Sequence, residues 1–153
     1  MKKLRTLLVI AALAVSVSVT AAGDATGHAR LHPINQSGIQ ARIFFVDNGS
    51  TLWVLGIAEG LDPTAIGYVS LVYGGGSLPG GPNACEPSAT NPISGLQMFV
   101  GAWTVDPDGS GVLTAKKTGA SYVPVGNTGT ISIRQRGVSN NLRACGEVAV
   151  NPE

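Results

Sequence analysis

Apolar and polar residues alternate with a period of two along most of this 153-residue sequence. Turn-forming residues interrupt the alternation about every ten residues. Alternation of this kind places apolar side chains on one face of a β-strand and polar side chains on the other. After the N-terminal region, no long stretch carries an apolar stripe at helical spacing. The pattern predicts an all-β antiparallel sandwich or barrel.

The turns are as informative as the strands. Residues 47–50 read Asp-Asn-Gly-Ser and residues 106–109 read Asp-Pro-Asp-Gly. Because Asn, Asp and Gly tolerate the backbone angles of tight turns, both segments predict β-hairpins. A calcium loop is the alternative at 106–117, but position 12 of such a loop would be Lys117 instead of a glutamate. Strands are predicted over residues 39–45, 51–59, 66–73, 98–105, 111–115, 130–136 and 144–150.

The first 22 residues have the composition of a secretory signal peptide. Three basic residues precede an apolar run at 7–19, and residues 20–22 (Thr-Ala-Ala) supply a small-residue cleavage site near Ala22. A membrane anchor is the alternative, but it needs about 20 apolar residues. We therefore predict a secreted or periplasmic chain that is not embedded in the membrane.

Without those three basic residues, seven basic and nine acidic residues remain. This balance gives no electrostatic reason to expect nucleic acid or an anionic membrane as a partner. We predict a mobile segment over residues 23–37 and one β domain over residues 38–153. His28 and His32 would suit a metal on a helix, but Gly and Pro surround them, so they are expected to be solvated.

Cys85 and Cys145 are the only cysteines. An exported chain meets an oxidising compartment, which favours their pairing. The alternative is a reactive thiol or a metal ligand. Around Cys85, however, no second thiol, imidazole or cation is available to support that chemistry. A structural disulfide is predicted, holding the long loop between Gly74 and Gly95 to the last strand.

Four motifs occur in a recognisable order. Residues 52–61 form a strand that ends in Gly-Leu, and residues 67–74 read Gly-Tyr-Val-Ser-Leu-Val-Tyr-Gly. Residues 106–109 form an Asp-x-Asp-Gly hairpin, and residues 144–146 read Ala-Cys-Gly. In this order and spacing, the chain resembles the copper/zinc superoxide dismutase family.

The resemblance implies an eight-stranded Greek-key barrel with one long loop pinned by a disulfide. It also implies copper and zinc held by six histidines and an aspartate, but Val69 and Leu71 occupy two of the ligand positions. Arg143 precedes Cys145 by two residues, whereas the anion-guiding arginine of the family precedes its cysteine by three. We therefore predict no metal, no cofactor and no catalytic residue.

The resulting hypothesis is a non-catalytic binding or structural module with an extracellular or envelope protein as partner. One alternative is a dismutase with a degenerate or rearranged metal site. A further alternative is a β-sandwich binding module similar to the chordin-like domain. Arg134 and Arg136 form a candidate anion patch on one strand face. The candidate binding loop consists of Ser77, Leu78, Pro79, Pro82, Asn83 and Glu86.

Overall fold

The structure, a computed structural model, describes residues 24–74, 85, 93, 95–139 and 141–151. The predicted signal peptide and the predicted binding-loop residues lie outside this part. Within it, no helix is long and apolar enough to cross a membrane. The described residues form one four-residue helix, α1 (Gly95–Met98), and nine strands. The strands are β1 (Ala25–Pro33), β2 (Gln40–Asp47), β3 (Thr51–Glu59), β4 (Tyr68–Gly74), β5 (Phe99–Ala102), β6 (Thr104–Val105), β7 (Gly111–Thr118), β8 (Thr128–Gln135) and β9 (Leu142–Asn151).

The nine strands form one antiparallel sheet in the order β5-β4-β8-β9-β1-β2-β3-β7-β6. Its two edge strands, β5 and β6, are separated in the chain by Trp103 alone. The Trp103 backbone N–H donates to the Tyr68 carbonyl at 2.9 Å, and its indole N–H donates to Ser70 Oγ at 2.9 Å. The sheet therefore curls into a nearly closed barrel, with Trp103 at the closure. The resemblance implies eight strands, whereas the described residues form nine. These are the seven predicted from the alternation, β1 in addition, and one more because residues 98–105 divide at Trp103.

Strand β8 pairs with β4 and not with β7, which precedes it in the chain. The chain thus passes through β4, β5, β6 and β7 and then returns to the side of β4. Residues 119–127 make the connection and include two single-turn 3-10 helices.

The hairpin of β2 and β3 follows the predicted alternation. Ala41, Ile43 and Phe45 are buried on β2, and the alternate residues of β3 from Leu52 onward face the same core. Strand β3 has the bounds predicted for it, residues 51–59. The second hairpin also forms where the Asp-Pro-Asp-Gly sequence predicted it, with the Gly109 N–H bonded to the Asp106 carbonyl.

The predicted mobile segment is different in the structure. Residues 25–33 form strand β1, which pairs with β2 on one side and β9 on the other. Ala29 and Leu31 are buried in the core, whereas His28 and His32 point outward. Hydrogen bonds to β2 on one edge and to β9 on the other hold residues 25–33 in an extended conformation. The neighbouring glycine and proline residues do not prevent this strand from forming.

The predicted disulfide is confirmed. Cys85 and Cys145 are bonded, with their Cα atoms 6.0 Å apart, and both are buried. They pack with Tyr73 and Leu142 in a small cluster beside the main core. The bond attaches Cys85 of the long connection to strand β9.

Candidate functional site

The outer face of β2, β3 and β7 carries a group of large apolar side chains that are exposed to solvent. Their exposed fractions lie between 39% and 52%. We call this group the apolar patch: Phe44, Val46, Trp53, Leu55, Ile57 and Val112. The opposite face of the same strands packs into the barrel core, so the patch belongs wholly to the outside of the sheet.

Strand register makes the patch continuous. Side chains of directly opposed residues approach within about 5 Å at Cβ. The patch includes three such pairs: Val46 with Trp53, Phe44 with Leu55, and Ile57 with Val112. The patch exposes on the order of 500 Å² of apolar surface, which is near the upper end for a soluble monomer. The largest apolar patch on a soluble monomer is often functional, so this face is the candidate contact surface.

Basic side chains border the apolar patch, and we call them the basic rim: Arg30, Arg42, Lys116, His28 and His32. Arg30 and Arg42 are directly opposite each other on β1 and β2. The Lys116 Nζ lies 5.9 Å from the centre of the Trp53 ring. All five side chains are exposed on the outer face.

The Arg30–Arg42 pair breaks a general rule of strand pairing, because like charges placed directly opposite are destabilising. Within the described residues, neither guanidinium has a hydrogen-bond or ion-pair partner. Glu59 is the only exposed carboxylate on the four strands β1, β2, β3 and β7, since Asp47 is buried. A second exposed carboxylate, Glu147, lies on the adjoining strand β9, where the register of β1 and β9 aligns it with Arg30. The directly opposed residues of Arg42 are Arg30 and Ile57, so this cation in particular favours an anionic ligand.

Two shallow depressions cross this face. One, of about 500 Å³, is lined by Arg30, Arg42 and Glu59 among others, and is the more polar. The other, of about 490 Å³, is lined mainly by apolar patch residues and by Lys116. An apolar depression beside a cationic one suits a ligand that is both apolar and anionic.

Copper and zinc, which the resemblance implies, do not fit the residues present. Val69 and Leu71 lie on β4, opposite Ala102 and Phe99 of β5, so neither position nor its neighbour offers a metal donor. Among the described residues, no group of three or more His, Cys, Asp or Glu side chains could hold a metal ion.

His28 and His32 are not placed to share a metal either. They lie four residues apart on an extended strand, which separates them by about 13 Å. The helical spacing considered for them does not arise, because the segment forms β1.

The structure separates the two members of the predicted anion patch. Arg134 donates to Tyr73 Oη at 3.0 Å, to Asn141 Oδ1 at 2.7 Å and to the Cys85 carbonyl at 3.3 Å. It is thereby committed to holding the disulfide region. Strand β8 ends at Gln135, so Arg136 lies in the turn beyond the strand and is exposed. Anion binding by these two residues stays a prediction.

Two buried charged residues have structural partners. Asp47 accepts hydrogen bonds from Tyr122 Oη, Val125 N and Gly49 N, at 2.8, 2.8 and 2.9 Å. Burial and the contact with Asp47 raise the pKa of Tyr122 to about 12. Lys117 donates to the Leu96 and Phe99 carbonyls, and burial lowers its pKa.

Sequence reasoning had not identified the apolar patch as a site. A signal was present, because β3 is apolar on both faces: Trp53, Leu55 and Ile57 alternate with its core residues. A strand of this kind is either covered on both faces or exposes an apolar surface.

Models of known protein families and the curated proteins were compared with this chain, and neither comparison found a match.

Proposed function

We propose that this chain is an exported, non-catalytic binding module with a fold of the copper/zinc superoxide dismutase type. The observation that carries the binding role is the apolar patch with its basic rim. Covering an exposed apolar surface of this extent with a partner is favourable, because apolar area is removed from water. Opposed, unpaired arginines add a second local cost that an anionic partner would relieve.

Two features support the fold type. If β5 and β6 are counted as one strand that bends at Trp103, the barrel has eight strands with the Greek-key return of β8 beside β4. The disulfide joins the long connection to the last strand, as the resemblance implies.

The residues at the expected metal positions support a non-catalytic role. A copper site that cycles between oxidation states needs imidazole or comparable donors. Neither Val69 nor Leu71 has a side-chain lone pair to donate. His28 and His32 lie about 13 Å apart along the extended strand β1.

The test is metal analysis combined with a dismutation assay. The purified protein would be refolded with copper and zinc, dialysed, and measured beside an authentic copper/zinc superoxide dismutase treated identically. We expect the control to regain both metals and its activity, and this chain to retain less than a stoichiometric amount and show no activity. One tightly held equivalent of copper together with dismutation would overturn the proposal and favour the alternative of a rearranged metal site.

A further inference from the structure

We propose that the apolar patch and the basic rim together dock the protein onto a surface of anionic lipids. The inference rests on the proposed function as a binding module and names the chemistry of its partner. In this arrangement the apolar side chains enter the boundary between headgroups and acyl chains, while the arginines and Lys116 contact the lipid phosphates.

The distribution of charge supports an anionic partner, although the summed charge does not. Three cations, Arg30, Arg42 and Lys116, lie on the outer face of β1, β2, β3 and β7 with one exposed carboxylate, Glu59. A second carboxylate, Glu147 of the adjoining β9, is aligned with Arg30 by the register of β1 and β9. Exposed carboxylates elsewhere lie mainly in turns, at Asp62, Asp106 and Asp108. The face is therefore locally positive on a chain whose residues after the predicted signal peptide are net acidic. Each cation brought to an anionic membrane strengthens adsorption roughly fivefold.

The chemistry of the side chains supports a lipid boundary. Trp53 has an amphipathic ring, and the Lys116 Nζ lies over that ring, 5.9 Å from its centre. Trp is enriched where water meets hydrocarbon, and Lys and Arg extend apolar stems while their charged ends stay at the phosphates. Leu55 and Ile57, each about half exposed, supply aliphatic surface for insertion.

Other occupants fit less well. An extended peptide adds to the edge of a sheet, but β2 and β3 are hydrogen bonded on both sides and offer no free edge. A second copy would bring a second set of the same cations to the rim, where like charges oppose association. A lipid surface covers the patch and pairs with all the cations at once.

The experiment uses the disulfide-intact protein and two kinds of vesicle. One kind contains phosphatidylglycerol and phosphatidylcholine in equal parts, and the other contains phosphatidylcholine alone. We expect the protein to cosediment with the anionic vesicles and not with the neutral ones, and adsorption to weaken as salt is raised. Trp53 is half-exposed and Trp103 is buried. Tryptophan emission should therefore shift to the blue on binding and be quenched by brominated acyl chains, and Trp53→Phe should remove both effects.

Matched variants distinguish vesicle binding through the apolar patch and basic rim from nonspecific adsorption through other surfaces. Arg42→Gln should weaken anionic-vesicle binding roughly fivefold. The control Arg143→Gln makes the same change of charge on β9, outside the apolar patch and the basic rim, where the side chain donates to Gln135, and should have little effect. Leu55→Ser should weaken binding severalfold, whereas Leu96→Ser, at a side chain that is 70% exposed on α1, should not. Unchanged circular dichroism and thermal melting would show that each variant is folded.

The negative results of this experiment distinguish failure of the lipid inference from failure of the proposed function. No binding of the wild type to anionic vesicles, or equal binding to neutral ones, overturns the lipid inference and leaves the proposed binding function standing. Concentration-dependent self-association that Leu55→Ser abolishes, without vesicle binding, assigns the patch to a second copy and also overturns it. The proposed function itself fails only through the metal and dismutation measurements.

Discussion

Asp47 shows how one residue can organise a distant part of this chain. It ends strand β2 and caps the following turn through the Gly49 N–H. Its two carboxylate oxygens also accept from Tyr122 and from the Val125 backbone, which lie in the connection between β7 and β8. A buried carboxylate needs such donors, because an unpaired charge in the interior is strongly unfavourable. Asp47 thereby joins the turn of the first hairpin to the connection between β7 and β8.

We expect Tyr122→Phe to lower the free energy of unfolding at neutral pH by about 1–2 kcal/mol, since Asp47 loses one of its donors. The raised pKa also gives a pH dependence with a definite sign. Between pH 10 and about 12 the folded chain keeps the Tyr122 proton that the unfolded chain has lost. The stability from this bond is therefore full below pH 10 and is lost as the pH rises towards 12.

Tyrosinate absorbance and urea unfolding across this range would measure the effect, and Tyr122→Phe should remove the high-pH step. Asp47→Asn is the informative companion. It removes the neighbouring charge but retains burial, which is the larger cause of the shift. Its Tyr122 pKa should therefore fall only part of the way to the ordinary value. Titration of Tyr122 at pH 10 in the wild type would contradict the assignment.

At the scale of elements, the seam between β1 and β9 depends on the absence of a side chain. The backbones of the two strands approach closely at Gly146, where an added Cβ would collide with the carbonyl oxygen of Arg30 and lie 2.8 Å from its carbonyl carbon. Backbone atoms cannot move aside as the end of a flexible side chain can. Glycine at this position therefore allows β1 to join the sheet and seats Arg30 on the outer face.

Gly146→Ala should destabilise the protein by about 1–3 kcal/mol through steric overlap in the seam. Its control is Gly126→Ala, where the new Cβ would meet no atom within 4 Å. That substitution should be neutral or stabilise by up to about 1 kcal/mol, because it restricts the unfolded chain. Chemical denaturation of both variants and amide exchange on β1 are the measurements. Equal stabilities of the two variants would show that β1 does not approach β9 so closely.

At the scale of the whole molecule, closure of the barrel and the disulfide act on different parts of the chain. Trp103 is the single residue that connects the edge strands β5 and β6, and its bonds to Tyr68 and Ser70 hold it against β4. The disulfide, with the Arg134 hydrogen bond to the Cys85 carbonyl, attaches the long connection between β4 and β5 to the neighbouring strands β8 and β9. Neither of these connections lies on the outer face of β2, β3 and β7. No element among the described residues covers that face.

Replacing both cysteines, as Cys85→Ser with Cys145→Ser, should lower the free energy of unfolding by about 4 kcal/mol. The two residues are separated by 60 positions, so the bond removes considerable freedom from the unfolded chain. Reduction of the wild type should have a similar effect. Vesicle binding at a temperature where the variant is still folded should be unchanged, because the apolar patch lies on other strands. Equal stability of the reduced and oxidised forms would contradict this role.

Features that depend only on neighbouring residues in the chain could be predicted before the fold was known. The bounds of β3, the alternation of β2 and the Asp-Asn-Gly-Ser and Asp-Pro-Asp-Gly hairpins follow from side-chain periodicity and from the backbone preferences of turn residues. The disulfide was predictable too, because only two cysteines are present.

The tertiary structure alone decided what depends on distant partners. Residues 25–33 become β1 because β2 and β9 supply hydrogen bonds on both edges. Residues 98–105 divide at Trp103 because the barrel closes there. The apolar patch and the basic rim exist because strands remote in sequence are brought into register and nothing described covers their outer face. Local patterns report which face of a strand is apolar, whereas burial of that face is a property of the assembled sheet.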